Sequence, residues 1–298
     1  MEENSILVCS NIQGAIPLKS YAGGCPYKSL IIYHIDGIFG YEYEKNLGRK
    51  YIGNWVEDKY SFLFFSEDPG NDLKEIISLQ PSLKILDKYS FSYEEWQGGG
   101  FEKKHIENFL IIPPWEDAGN DTSLNKVILD HGVVFGNGLH PTTKDCIRAI
   151  SYLKNHYFFN KVLDIGTGTG ILAISSVYLG ATEVIAIDLN PLAVKTAANN
   201  VLLNNLNEKI KVFEGKAEEY ACDEADLLIA NIHFDVIKMM FSNKGFLDKD
   251  YYIFSGLMRT QAGDLRDLIK NNGMNIMKEW EYEMTWYTIL VKAESRKE

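Results

Sequence analysis

The chain has 298 residues, 46% of them hydrophobic and 24% charged. That balance belongs to a folded protein of one large or two ordinary domains and excludes a disordered, collagen-like or low-complexity chain. Lys and Arg number 30 against 41 Asp and Glu, a formal charge of −11, without the basic stripe of a nucleic-acid surface, so direct nucleic-acid binding is not expected.

The start, Met1-Glu2-Glu3-Asn4, lacks the basic segment of a signal peptide. No apolar run approaches the roughly 18 to 20 residues that span a bilayer. The expectation is a cytoplasmic protein without a membrane partner. Runs 30–35 and 60–65 are apolar and β-rich, and 72–79 reads as a short helix stopped by Pro81. Residues 1–95 therefore read as a small α+β domain. Gly98-Gly99-Gly100 and Pro113-Pro114 suggest a flexible break, and 96–125 reads as a linker.

From residue 126 the pattern becomes regular. A helix is expected from Pro141 to about 153, with proline in its first turn. Strands at 161–165, 183–187, 210–213, 226–230 and 251–254 alternate with helices at 171–179, 191–205, 235–241 and 260–272. Such alternation predicts a doubly wound, mostly parallel sheet. Two last β-rich runs, 275–280 and 286–292, have no helix between them and predict an antiparallel hairpin.

The sequence Val162-Leu163-Asp164-Ile165-Gly166-Thr167-Gly168-Thr169-Gly170 runs from a strand through a glycine loop into a helix. Glycines at such a turn let a nucleotide-type ligand approach the backbone. Ile171 stands where a dinucleotide fingerprint needs its third glycine, and Asp164 would repel a pyrophosphate. S-adenosylmethionine, which has no phosphate and carries two positive groups, suits the loop better. Asp188, closing the second strand, is placed to accept hydrogen bonds from ribose hydroxyls. The helix start at Thr142-Thr143 offers N–H groups and hydroxyls to a carboxylate. Asn231 closes the strand that begins near 226, on the ligand side of such a sheet, where its carbonyl can orient an amine.

Cys9, Cys25, Cys146 and Cys222 form no C-x-x-C pair and fit no zinc spacing, and the six histidines form no H-x-x-x-H pair. The reading is reduced thiols and no metal site. His140 and His233 are candidate proton acceptors, since imidazole titrates near neutrality. Asp235 reads as the cap of the helix after it.

Taken together, Ile112-Pro113-Pro114-Trp115, the loop from Phe135 to Thr143, the cradle Asp164 to Gly170, Asp188-Leu189-Asn190-Pro191, Ala230-Asn231-Ile232, Ser255-Gly256-Leu257 and Glu279-Trp280 resemble the PrmA-type methyltransferases of large-subunit ribosomal protein eleven. The pieces occur in family order over about 105–298. The resemblance implies a Rossmann-like, S-adenosylmethionine-dependent methyltransferase fold over 126–298. It implies contacts to the cofactor from Thr143, Gly166, Asp188 and Asn231, to which the reading of the loop itself adds Asp164, Gly168 and Gly170, and that of the strand end a catalytic role for Asn231. It further implies methyl transfer to a lysine or N-terminal amine of a ribosomal protein, recognised by the N-terminal domain. The family loop usually reads F-G-T-G-T-H-P-T-T; Asn137 and Leu139 replace two of its threonines here. His233 and Phe234 also depart from the family pattern. On the residues alone, two other readings stay open: the same fold acting on another protein amine or a small amine, and a cofactor-binding interaction module without turnover.

Overall fold

The computed structural model describes residues 24–294 except 101 and 121, so Met1 to Asn4 and Cys9 lie outside the described residues. The first unit is a four-stranded antiparallel sheet of β1 (Ser29–Asp36), β2 (Tyr51–Glu57), β3 (Tyr60–Phe65) and β4 (Lys84–Ser92), in the order β2-β3-β1-β4. Side chains alternate between its faces with the period of two that a strand imposes. On one face Ile31, Tyr33, Ile35, Leu63 and Phe65 cover Leu73 and Ile77, which lie one helical turn apart on α2 (Asn71–Ser78). A single turn, α1 (Tyr41–Glu44), closes that side. The other face carries Leu30, Ile32 and Phe64 and packs on Val133, Val134, Leu192 and Ala193 of the larger unit. The sheet is thus buried on both sides along β1, whereas β4 at its edge is mostly exposed.

Next comes α3 (Tyr93–Gln97), started by a capping box. Glu95 N–H donates to Ser92 Oγ at 3.2 Å, and Ser92 N–H donates to Glu95 Oε2 at 2.8 Å. Gly98 ends it in the left-handed region at φ 70°. The glycine run expected as a flexible break is therefore, at its first residue, a helix stop. The stretch 96–125, expected as a linker, is folded. It carries β5 (Lys104–Ile106) and β6 (Phe109–Ile112), and with β7 (Asn125–Ile128) they form a three-stranded sheet. Ile106, Phe109, Ile111 and Val127 join the main core.

The larger unit follows the expected alternation: α4 (Pro141–His156), β8 (Lys161–Ile165), α5 (Ile171–Tyr178), β9 (Glu183–Asp188), α6 (Pro191–Leu203), β10 (Ile210–Glu214), α7 (Ala217–Tyr220), β11 (Leu227–Asn231), α8 (Phe234–Met240), a 3-10 turn (Lys244–Asp248), β12 (Tyr251–Met258), α9 (Arg259–Asn271), β13 (Met274–Tyr282) and β14 (Trp286–Ala293). Seven strands pair in the order β10-β9-β8-β11-β12-β14-β13. The sheet is parallel from β10 to β12, and β14 lies antiparallel between β12 and β13. Apolar clusters fill both faces, which is why these strands read as continuous apolar runs. Strand order reverses between β8 and β11, and it is at the carboxyl ends beside such a switch point that open α/β sheets bind ligands.

Two local expectations shift. Helix α8 begins one residue early, at Phe234, with His233 as N-cap; Asp235 is its second residue and favours the helix through its charge in the first turn. Cys25, Cys146 and Cys222 are free thiols. No described helix is long and apolar enough to cross a membrane.

Leu192 is the peg between the units: it is 7% exposed, and a Cβ added to Gly53 on β2 would lie 2.4 Å from its Cδ1. Leu192→Ala is expected to cost about 2–4 kcal/mol of stability through transfer and cavity terms. Urea denaturation measures this; an unchanged midpoint would show that the junction carries no stabilising burial.

Candidate functional site

The site begins at the end of β8. Asp164 is 1% exposed and clamps the loop beyond it: Oδ2 accepts from Thr167 Oγ1 at 2.6 Å and from Ala173 N at 3.1 Å. Its Oδ1 is buried and makes no hydrogen bond. Burial raises its pKa to about 7, opposed by those two donors, with a small upward push from Asp188. The loop is tied to the next strand too, for Gly166 N and Thr167 N both donate to Ile187 O, at 2.8 and 2.9 Å.

Gly166, Gly168 and Gly170 have φ values of 72°, 56° and 82°, in the left-handed region where side chains are strained. Space forbids side chains at the first two as well. A Cβ on Gly166 would lie 2.1 Å from Ile232 Cγ2, and one on Gly168 would lie 2.6 Å from the Phe135 carbonyl oxygen. The turn is thus packed directly beneath Ile232 and the Phe135 carbonyl.

Asp188 closes β9. Its Oδ2 accepts from Gly168 N at 2.9 Å and its Oδ1 from Asn190 N at 3.0 Å. Burial shifts its pKa upward, against those backbone donors. Each carboxylate oxygen retains accepting capacity for a further donor. Asn190 then caps α6 by accepting from Leu192 N at 3.0 Å.

The loop before α4 covers the cradle. Thr169 N donates to Phe135 O at 3.2 Å, and Thr169 Oγ1 donates to Gly136 O at 2.7 Å. His140 caps α4: Thr142 N–H donates to its Nδ1 at 3.4 Å, and Thr142 Oγ1 lies 2.7 Å from the same nitrogen. Burial lowers the His140 pKa, which favours a neutral ring at pH 7. The ring lies edge-on to Phe135 and Trp286, at 5.4 and 4.9 Å between centroids. Thr143 is 1% exposed, and its Oγ1 makes no hydrogen bond. A buried hydroxyl in that state is a waiting partner for a polar ligand group.

Asn231 closes β11 opposite Ser255 of β12. Gly256, at φ 79°, leaves room for it: a Cβ there would meet Asn231 Oδ1 at 3.1 Å. Ser255 Oγ reaches Thr288 Oγ1 at 2.5 Å and Thr142 O at 3.5 Å, which ties β12 to the start of α4. The segments carrying the expected cofactor residues therefore touch one another: the glycine turn meets Asp188, Ile232 and the loop before α4, and β12 beside Asn231 meets the start of α4. His233, by contrast, is exposed and makes no capping bond with its side chain.

Sequence reading missed Asn200. It is fully buried on α6; its Nδ2 donates to Thr169 O at 2.8 Å and Asp130 O at 2.9 Å, and its Oδ1 accepts from Asp130 N at 2.8 Å. It fastens the covering loop's root to the cradle. The available signal was a polar side chain on the buried face of a helix shared with Ala193, Ala197 and Val201.

The family model described as "Ribosomal protein L11 methyltransferase (PrmA)" matches residues 94–294. A relative from Exiguobacterium sibiricum with the name ribosomal protein L11 methyltransferase is 34% identical over 64% of this chain; the match spans 61% of that protein, less than two thirds. Another of that name, from Staphylococcus saprophyticus, is 32% identical over 76% of this chain and 74% of its own length. The crystal structure of a ribosomal protein L11 methylase from Lactobacillus delbrueckii subsp. bulgaricus is similar at a TM-score of 0.58 and 25% identity, covering 65% of this chain and all of that one.

The raised pKa of Asp164 has a sign that can be checked. The folded chain holds that proton more tightly than the unfolded chain, so stability falls as pH rises from about 3.8 to about 7. Asp164→Asn, which keeps an acceptor for Thr167 and Ala173 but no ionisable group, is expected to flatten this fall. Urea midpoints at pH 5 and pH 8 measure it, and an equal fall in both proteins would remove Asp164 as its source.

Proposed function

We propose the function of this site from one premise: the chain belongs to the PrmA family of ribosomal protein L11 methyltransferases. It is an S-adenosylmethionine-dependent methyltransferase whose acceptor is an amine nitrogen, of a lysine side chain or an N-terminus, on a ribosomal protein. Residues 1–95 recognise the acceptor protein, and 126–298 hold the cofactor. It acts in the cytoplasm and takes no metal and no nucleic acid. The cofactor assignment is supported by the left-handed glycines of the β8–α5 turn, tied to Asp188 through Gly168 N, together with the buried Thr143 hydroxyl that makes no hydrogen bond.

The residues fit the cofactor's chemistry. Gly166, Gly168 and Gly170 leave backbone for a flat, polar ligand to approach. Asp188 has acceptor capacity for ribose hydroxyls, and Thr143 has a free donor for a carboxylate. When bound, S-adenosylmethionine supplies an electrophilic methyl carbon on a sulfonium. Asp164 works from beneath: it holds Thr167 and the first turn of α5. Asn231 orients the incoming amine through its side-chain carbonyl, and orientation is most of what an in-line displacement needs from a protein. An ammonium must lose its proton to water or base before it can act as a nucleophile, and burial of the amine lowers its pKa. Because Nδ1 of His140 accepts the Thr142 N–H in the helix cap, the neutral ring carries its own proton on Nε2 and offers the amine no acceptor nitrogen, so the proton leaves to water. The acidic chain attracts a basic ribosomal protein at long range.

Incubation with methyl-labelled S-adenosylmethionine and purified large-subunit ribosomal protein, followed by mass spectrometry, tests the reading. Labelled amine is expected; label on a small amine alone would shift the acceptor class. Asp188→Ala is expected to weaken cofactor binding by about 1.5–3 kcal/mol, the loss of a hydrogen bond to a charged group. Tighter binding of NAD than of S-adenosylmethionine in calorimetry would overturn the cofactor. Asn231→Ala is expected to lower kcat more than cofactor affinity, since its interaction grows in the transition state. A near-normal kcat per folded molecule would leave Asn231 as a turn residue.

A further inference from the structure

In the loop from Phe135 to Thr143, Asn137 and Leu139 both meet the segment 97–99. Asn137 Nδ2 donates to Gln97 O and to Gln97 Oε1, each at 2.9 Å. Its Oδ1 accepts from Leu139 N at 2.9 Å, so the carboxamide is engaged at both ends. A Cβ on Gly99 would lie 3.4 Å from Leu139 Cδ1. A threonine at 137 has one hydroxyl and a shorter reach, and could not make this set of bonds.

The rest of α3 grips the root of the same loop. Gln97 Nε2 donates to Gly132 O at 2.8 Å, Tyr93 Oη donates to the same carbonyl, and Trp96 Nε1 donates to Val133 O at 3.2 Å. The bonds to Gly132 O are buried, whereas those between Asn137 and Gln97 and from Trp96 are half-buried. The loop is therefore held from two sides: by Thr169 of the cradle and by α3.

We infer that Gln97 is a positioning residue for the cofactor loop, acting through Asn137, so that cofactor affinity is set jointly by α3 and the glycine cradle. The inference rests on the reading that this loop lines the S-adenosylmethionine site. Losing the latch frees the loop to leave the pose in which Thr143 faces the ligand. The cofactor then binds only the fraction of molecules in that pose, and apparent affinity falls by that fraction.

The test is a double-mutant cycle on full-length protein, titrated with S-adenosylhomocysteine by calorimetry well below each variant's unfolding temperature. Gln97→Ala and Asn137→Ala are each expected to raise Kd about three- to tenfold, the effect of one hydrogen bond. The double variant is expected to lose less than the sum of the two single losses, because the Asn137 Nδ2–Gln97 Oε1 bond is removed in both. Gln97→Glu keeps an oxygen that accepts from Asn137 but sets its second carboxylate oxygen against the Gly132 carbonyl, so it is expected to recover affinity only in part, and more at low pH where the carboxyl can donate. In turnover, Gln97→Ala is expected to raise KM for the cofactor more than it lowers kcat. Wild-type affinity in Gln97→Ala, or losses that add in the double variant, would overturn the latch and leave the enzyme assignment standing. An unaltered chain that binds no S-adenosylhomocysteine would overturn both.

Discussion

Between residues 166 and 170 the backbone passes where side chains cannot fit, and that exclusion organises the site. Gly166 lies under Ile232, which follows β11; Gly168 lies under the Phe135 carbonyl of the covering loop; a Cβ on Gly170 would stand 3.3 Å from Ala197 of α6. Three elements from distant parts of the chain are therefore in van der Waals contact with one five-residue turn. The turn has no side chains of its own at those points with which to adjust. Its shape is set by its neighbours, and the polar clamps at Asp164, Asp188 and Asn200 hold those neighbours in place.

What the sequence revealed was what is local. The strand, glycine loop and helix from 161 to 178 are contiguous, and Asp188 follows at the end of the next strand, so apolar period and glycine spacing located them. Asn200 was hidden because its partners, Asp130 and Thr169, lie 70 and 31 residues away. Asn137 stood out as a departure from the family, but its reason, Gln97, is 40 residues earlier. The sheet within 104–128 escaped for a different cause. Its strands are three or four residues long, too short to show a period of two, and the glycines and prolines around them read as loop.

The two units are less separable than their sequence patterns suggest. The inner face of the N-terminal sheet closes on the covering loop's root and on the first turn of α6, four residues after Asp188. Asn190 also reaches Val56 O of β2 at 3.5 Å. The unit proposed to recognise the acceptor protein thus rests directly behind the segments that present Asp188 and Thr143. Burial of apolar area at this junction and hydrogen bonding along α3 act together, so the relative placement of the units is fixed by more than a tether.

The order of the last two strands shows how a sequence chooses between two topologies of similar connectivity. Chain order alone would allow β13 to pair beside β12, leaving β14 at the rim. The residues decide otherwise. In β14 five consecutive residues, Tyr287 to Val291, are buried, a run that only an interior position can cover on both faces. In β13 most positions are exposed, and it carries Lys278, Glu279 and Glu281. A rim built this way leaves its outer backbone groups beside fixed charges, which discourages a second molecule from adding its own strand. The hairpin therefore inverts at the end of the sheet for two reasons at once: the greasier strand is sheltered, and the charged one guards the open border against self-association.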